Sequence, residues 1–172
     1  MLRLIPPAFA ALVLAGCTTA DSRVSNLGTT ELSAADGRIV GTAVLTRSGG
    51  ETLVRVDITG TAGAIHGMHL HAVGKCEAPF ASAGPHLNPG GHQHGKDNPK
   101  GAHLGDLPNI TIDPAGRGSA QASLGIDSAA IDAALFDGDG TSVVLHAAAD
   151  DYRTDPSGNS GARIACGVLK RA

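Results

Sequence analysis

The feature that most limits the fold of this chain is a two-residue alternation of apolar and polar side chains in short segments bounded by glycine. In residues 51–59, Val54, Val56 and Ile58 alternate with Leu53, Arg55 and Asp57. This period is typical of a half-buried β-strand. Gly49 and Gly50 separate the segment from a similar run at 38–46, which predicts a β-hairpin.

Six further short runs predict a total of eight strands. They lie near residues 31–35, 66–71, 110–113, 119–124, 142–146 and 163–169. Glycine accounts for 24 of the 172 residues, and no window after the first 16 residues has a sustained helical period. An all-β fold, a sandwich or barrel of antiparallel strands, is therefore predicted. Two longer segments, 72–109 and 147–162, are predicted to be functional loops.

The charge balance argues against one class of partner. The chain has 13 Lys and Arg residues against 16 Asp and Glu residues, and its formal net charge is −3. A chain without a basic excess lacks the field that holds phosphate backbones. We therefore expect no nucleic-acid partner.

The N-terminal residues are typical of an export signal. Arg3 precedes an apolar stretch at 4–15 that is too short to span a bilayer as a helix. Residues 14–17, Leu-Ala-Gly-Cys, resemble the lipobox of bacterial lipoproteins. This resemblance implies a signal peptide at 1–16, a lipidated Cys17 and a flexible tether at 17–30, followed by a folded domain at 31–172. An ordinary signal peptide with an incidental Cys17 is the alternative.

The number of cysteines supports the lipoprotein interpretation. The chain has three cysteines, so lipidation of Cys17 leaves Cys76 and Cys166 to form a disulfide. Closing a loop of about 90 residues stabilises a fold by roughly 4–5 kcal/mol in the chain-entropy model. A disulfide also implies an oxidising compartment such as the periplasm.

All eight histidines lie between residues 66 and 146, which indicates a metal site. His69 and His71 are two apart on a predicted strand, so both side chains project from the same face. A second cluster places three imidazoles and a carboxylate within 21 residues of the first long loop: His86, His94, His103 and Asp106. Such a set completes a tetrahedral zinc shell.

His146, at the end of a predicted strand, adds another imidazole. A set of imidazoles without a thiolate is compatible with Cu(II) or zinc. Two metal sites therefore fit these ligands better than one. His92 is expected to be exposed, and His66 is expected to order its strand or a loop.

Five motifs together resemble the copper/zinc superoxide dismutases of the bacterial exported type. The most specific are Gly-Met-His-Leu-His at 67–71, His-Leu-Gly-Asp at 103–106 and Gly-Ala-Arg-Ile-Ala-Cys-Gly at 161–167, with further matches at 74–78 and 82–89. The resemblance implies an eight-stranded Greek-key sandwich or barrel. It also implies an enzyme that converts superoxide to O₂ and hydrogen peroxide by alternating Cu(II) and Cu(I).

The resemblance also assigns roles to individual residues. The implied copper ligands are His69, His71, His86 and His146. The implied zinc ligands are His86, His94, His103 and Asp106, so His86 is shared by both metals and supplies a proton to the product. Arg163 is the implied anion-positioning catalytic residue, and Asp150 orients His69 and His94. Cys76 and Cys166 match the family disulfide.

Superoxide is the implied substrate, and the location that follows is the cell envelope, with a lipid anchor and the domain facing the periplasm. Thr18 after Cys17 favours the outer membrane. The sequence leaves open whether the protein is a monomer or a homodimer.

The main alternative is a non-catalytic copper- and zinc-binding envelope lipoprotein, although storage does not require Arg163. A structural sandwich with a degenerate site is disfavoured because no copper ligand is lost. A cupin is disfavoured because no glutamate follows His71 closely; the next acid is Glu77.

Overall fold

An antiparallel β-sheet dominates the computed structural model, which describes residues 23–172. The predicted signal peptide and Cys17 lie outside these residues. Among the described residues, no helix is long and apolar enough to cross a bilayer. The strands are β1 (Ser25–Ala34), β2 (Ile39–Ser48), β3 (Glu51–Thr59), β4 (Ile65–His66), β5 (Met68–His71), β6 (Ile110–Thr111), β7 (Arg117–Gly125), β8 (Ser142–His146), β9 (Arg163–Val168) and β10 (Lys170–Arg171).

The main sheet has the strand order β5-β8-β9-β1-β2-β3-β7, with β10 paired to β1. It curls into a half-barrel, while β4 and β6 form a separate two-stranded sheet. The inner face carries the core, in which Leu32, Leu45 and Leu70 are fully buried. The predicted all-β class is confirmed.

All eight predicted strands are present, and the glycine signals explain their turns. Ser48 pairs with Glu51 around Gly49 and Gly50. Both glycines have positive φ angles, of 57° and 88°, which is the backbone that a tight hairpin turn requires. The predicted strand at 66–71 is divided at Gly67 into β4 and β5.

The predicted boundary between tether and domain is wrong. β1 begins at Ser25, so residues 25–30 belong to the sheet and not to a tether. These residues look like a linker because all but Leu27 are polar or small, but Thr29 pairs with Val44 on one side and with Lys170 on the other. Their pairing partners are distant in sequence, so local composition did not show the strand.

One helix was missed in the sequence. Helix α1 (Ser128–Leu135) follows β7, and Asp127 caps its N-terminus by accepting a hydrogen bond from the Ala130 N–H. Ile131 and Leu135 are buried one turn apart, which is the helical signal. The helix has only eight residues, so it cannot fill the longer window in which a helical period is recognised.

Two loops and the adjacent strands β5, β8 and β9 carry the residues that are predicted to bind metal or substrate. The first loop, 72–109, contains a short 3₁₀ turn at Ala81–Ala83 and runs back along β5, where the Leu87 N–H donates to the Leu70 carbonyl. The second loop, 147–162, joins β8 to β9. The Cys76–Cys166 disulfide ties the first loop to β9, which confirms the expected pairing.

Candidate metal centre

Four buried histidines meet where β5 and β8 face the two loops. We call them the four-histidine group. Strand β5 contributes two members and β8 one, and the last comes from the first loop. Their ligand atoms lie within 4.8 Å of one another. The members are His69, His71, His86 and His146.

Each ring in this group uses one nitrogen for a hydrogen bond to another residue of the chain. His69 Nε2 lies 2.8 Å from Asp150 Oδ2, and His86 Nδ1 lies 3.0 Å from Asp106 Oδ1. The other two rings donate from Nδ1 to backbone carbonyls, at 2.9 Å and 3.2 Å. These contacts fix the orientation of all four rings.

The second nitrogen of each ring is buried and has no hydrogen-bond partner. Within residues 23–172, five buried side-chain polar atoms lack a partner, and four of them belong to this group. They are His69 Nδ1, His71 Nε2, His86 Nε2 and His146 Nε2. Buried polar atoms are seldom left unpaired in folded proteins. Four unpaired imidazole nitrogens that converge are the donor set that a transition-metal ion requires.

Burial keeps three rings of this group neutral. It lowers the pKa of His71 to about 2 and those of His86 and His146 to about 4. A neutral imidazole has a lone pair on the nitrogen that carries no proton, and only that form binds a metal. At neutral pH these rings are therefore ready to bind a cation.

A second set of ligand atoms surrounds one carboxylate oxygen, and we call it the carboxylate group. Asp106 Oδ1 lies 3.0 Å from His86 Nδ1, 2.9 Å from His94 Nδ1 and 3.1 Å from His103 Nδ1. Ligands on a tetrahedral zinc ion with bonds of about 2.0 Å are about 3.3 Å apart. The spacing is therefore close to that of a zinc shell, with the members His86, His94, His103 and Asp106.

His69 is also within 4.8 Å of part of the carboxylate group, but it is a poor ligand there. Its Nε2 is already bonded to Asp150, and its Nδ1 is one of the four unpaired nitrogens. His103 Nδ1 is only 3.4 Å from His86 Nδ1 and contacts Asp106 as well. His103 is therefore the fourth member.

Asp150 joins the two groups. Its Oδ2 accepts from His69 at 2.8 Å, and its Oδ1 accepts from His94 Nε2 at 3.0 Å. Burial opposes ionisation of Asp150, but the hydrogen bonds from both histidines outweigh it and lower the pKa of the carboxyl. The same balance lowers the pKa of Asp106. Burial would lower the pKa of His94, but its bonds to the two carboxylates raise it to about 9.

Arg163 lines a cavity of about 720 Å³ together with members of both groups. Its Nη1 donates to the Phe80 carbonyl and its Nη2 to the Gly84 carbonyl, both at 2.7 Å. Burial lowers the pKa of the guanidinium from its ordinary value, but a guanidinium stays charged at neutral pH. The cavity therefore presents a fixed cation to an entering anion.

The two remaining histidines lie outside both groups. His66 donates from Nδ1 to the His146 carbonyl at 2.8 Å, so its ring contacts the end of β8 and not the strand that carries it. His92 is exposed, as expected, and Asn88 holds its backbone through two hydrogen bonds. Sequence reasoning missed Asn109 and Tyr152, which contact Asp150, because nothing in their sequence context marks them.

The chain matches known proteins over most of its length. A family described as copper/zinc superoxide dismutase (SODC) matches residues 39–169. "Superoxide dismutase [Cu-Zn] 2" of Aquifex aeolicus is 38% identical over 149 residues, which cover 81% of this chain and 84% of that protein. "Superoxide dismutase [Cu-Zn]" of Caulobacter vibrioides is 37% identical over 147 residues, which cover 83% of this chain and 84% of that protein.

Solved structures show the same similarity. The structure of a SOD-like protein from Bacillus subtilis matches with a TM-score of 0.77 at 33% identity, over 85% of this chain and 100% of that one. Cu/Zn superoxide dismutase from Brucella abortus matches with a TM-score of 0.64 at 27% identity, over 86% of this chain and 100% of that one.

Proposed function

Because the chain belongs to the copper/zinc superoxide dismutase family, we propose that its four-histidine group binds copper and its carboxylate group binds zinc. As a member of this family it is an enzyme that converts superoxide to O₂ and hydrogen peroxide. The observation that carries the copper assignment is the convergence of four unpaired, buried ring nitrogens.

The chemistry of each donor set supports its metal. The four-histidine group offers imidazole nitrogens alone, which suit Cu(II), the divalent ion with the highest affinity for nitrogen ligands in its row. The carboxylate group offers three imidazoles and one carboxylate oxygen at near-tetrahedral spacing, which suits zinc. His86 belongs to both groups through its two ring nitrogens, so the same ring would help to hold both metals.

When bound, copper supplies the reversible one-electron change that disproportionation of superoxide requires, and zinc supplies none. The residues of the chain attract and position the superoxide anion and deliver the protons. Two superoxide anions and two protons give O₂ and hydrogen peroxide, so the site must deliver protons as well as attract anions. His86 lines the cavity, and its Nε2 has no hydrogen-bond partner, which would allow this atom to hold a proton for the product.

Arg163 is the residue proposed to attract and position superoxide, and its substitution tests the catalytic role of the cavity. We expect Arg163→Ala to reduce the dismutation rate constant about tenfold or more, because a charged residue in a cleft raises anion on-rates by roughly 10–10³. The ionic-strength dependence of the rate should weaken, since a steering charge is lost. Stopped-flow decay of superoxide measures both effects.

Bound metal is the control for this variant. Copper and zinc contents of Arg163→Ala should match those of the unmodified chain, because Arg163 belongs to neither ligand group. Loss of either metal would contradict the proposal, since it would show that the bonds from Arg163 to Phe80 and Gly84 hold the loop and that the guanidinium serves structure alone. Arg163→Lys, which keeps the charge, should retain more activity than Arg163→Ala.

A location in the cell envelope is proposed from the sequence at residues 14–17 and from the disulfide. Two of the three cysteines are paired as Cys76–Cys166, which supports an oxidising compartment and leaves Cys17 for a lipid. We expect a mature chain that begins at a lipidated Cys17, faces the periplasm and is held at the outer membrane. Mass spectrometry of the N-terminal peptide from the natural membrane fraction tests this, and an unmodified Cys17 would contradict it.

A non-catalytic metal-holding role is not favoured. Storage of copper would need the ligands but not a cation beside an open cavity, and Arg163 supplies that cation. The similar proteins from Aquifex aeolicus and Caulobacter vibrioides are both named as superoxide dismutases.

A further inference from the structure

Tyr152, the only tyrosine of the chain, lies where three separate segments meet. It follows Asp150 by two residues and is half-buried. Its φ angle is 61°, in the left-handed region that bulky side chains rarely adopt. Such a conformation persists only where surrounding contacts hold it, and such contacts are found on both the backbone and the side chain.

The backbone of Tyr152 binds Asp150 and the first loop. Its N–H donates to Asp150 Oδ1 at 2.6 Å, the same oxygen that accepts from His94 Nε2. Its carbonyl accepts from the Asp97 N–H at 3.0 Å. A side chain at Gly95 would come within 2.1 Å of that carbonyl oxygen. The loop next to His94 therefore packs directly against Tyr152.

The side chain of Tyr152 adds two contacts. The hydroxyl accepts from the Asn109 N–H at 2.7 Å, and the ring lies 4.1 Å from Lys96 Nζ. The Asn109 side chain in turn binds both backbone polar groups of Asp150, at 2.8 Å and 2.9 Å. The phenol hydroxyl therefore positions Asn109, and Asn109 in turn holds the backbone of Asp150.

We propose that Tyr152 is a positioning residue that aligns the Asp150 carboxylate between His69 and His94. The Tyr152 N–H donates to Oδ1 of Asp150, and the phenol anchors Tyr152 to Asn109 and Lys96. A carboxylate held in this way fixes the orientation of one ring in each ligand group. Tyr152 thereby couples the geometry of the copper site to the retention of zinc.

This inference rests on the proposed assignment of copper and zinc. It goes beyond that assignment because Tyr152 lies in neither ligand group and would act through Asp150. The contacts predict which part of the side chain matters. The hydroxyl reaches Asn109, whereas the ring reaches Lys96, so two substitutions separate the two contributions.

The test uses Tyr152→Phe, which removes the hydroxyl alone, and Tyr152→Ala, which removes the ring as well. Phe136→Ala is the matched control, because the Phe136 ring also lies beneath a cation, 4.3 Å from the Arg171 guanidinium. All three are made in the full chain loaded with copper and zinc. Zinc release to a chelator, the EPR spectrum of Cu(II) and the unfolding midpoint are measured for each.

We expect Tyr152→Ala to release zinc several-fold faster, up to about tenfold, because Asp150 orients His94 and outright loss of such a partner costs about 10–100-fold in affinity. Tyr152→Phe should release zinc faster than the unmodified chain by a smaller factor. Both should shift the copper EPR spectrum, since His69 is oriented by the same carboxylate. Phe136→Ala should lower the unfolding midpoint without changing either metal readout.

Two results would overturn the inference. The first is unchanged zinc release and EPR in both Tyr152 variants. The second is a similar change in Phe136→Ala, which would mean that the metal readouts follow stability alone. If Tyr152→Ala does not fold, Tyr152→Phe decides the question, since it keeps the ring. Failure of the unmodified chain to bind zinc or copper would instead refute the proposed function, so the two failures are distinguishable.

Discussion

His86→Ala is expected to cost the protein both metals and with them the whole of its dismutase activity. The ring faces Asp106 through Nδ1 and the other three histidines through Nε2, so the substitution removes a ligand from each group at once. Loss of an outer partner of a metal ligand already costs about 10–100-fold in affinity, and loss of the ligand itself should cost more. Metal titration of the metal-free variant measures both affinities.

Two other variants make this result specific. His103→Ala should lose zinc while it keeps copper, because His103 belongs to the carboxylate group and is not a member of the four-histidine group. His92→Ala is the matched control: His92 lies in the same loop but is exposed and outside both groups, so both affinities should stay unchanged. If His86→Ala binds either metal as tightly as the unmodified chain, His86 is not a shared ligand.

Removal of the Cys76–Cys166 disulfide is expected to lower the free energy of unfolding more than any of the single substitutions above. The bond joins residues 90 apart in sequence, and closing a loop of that length is worth roughly 4–5 kcal/mol in the chain-entropy model. We expect the double variant Cys76→Ser/Cys166→Ser to lose free energy of unfolding of that order. Urea denaturation of the metal-free chain measures it without the added stability of bound metal.

Reduction of the unmodified chain should give the same loss as the double variant, because both open the same loop. The disulfide also fixes the segment that carries Gly84, whose carbonyl accepts hydrogen bonds from His71 and Arg163. A loss of less than about 1 kcal/mol in both experiments would show that the loop is held closed by its other contacts.

The strands could be predicted from the sequence because their signals are local. Alternation in β3 and the paired glycines after β2 act over a few residues, and the structure confirms both. The start of β1 could not be predicted in this way. Thr29 becomes part of a strand through Val44 and Lys170, and neither partner is visible from the composition around it.

The ligand groups could also be predicted, although for a different reason. Histidines spaced by two on a strand must share a face, and His69 and His71 do so. The residues that orient the ligands leave no comparable signal. Asn109 and Tyr152 reach Asp150 from positions 41 and two residues away, so their role depends on how the two loops fold together.

The most direct test of the central claim is the rate of superoxide dismutation as copper is added to the full chain saturated with zinc. We predict a rate that rises in proportion to bound copper and saturates when the four-histidine group is filled. If the chain binds copper and zinc fully but does not dismute superoxide, the proposed catalytic role of the copper site is contradicted. Such a result would make the protein a metal-holding relative and would direct attention to the access of anions past Arg163.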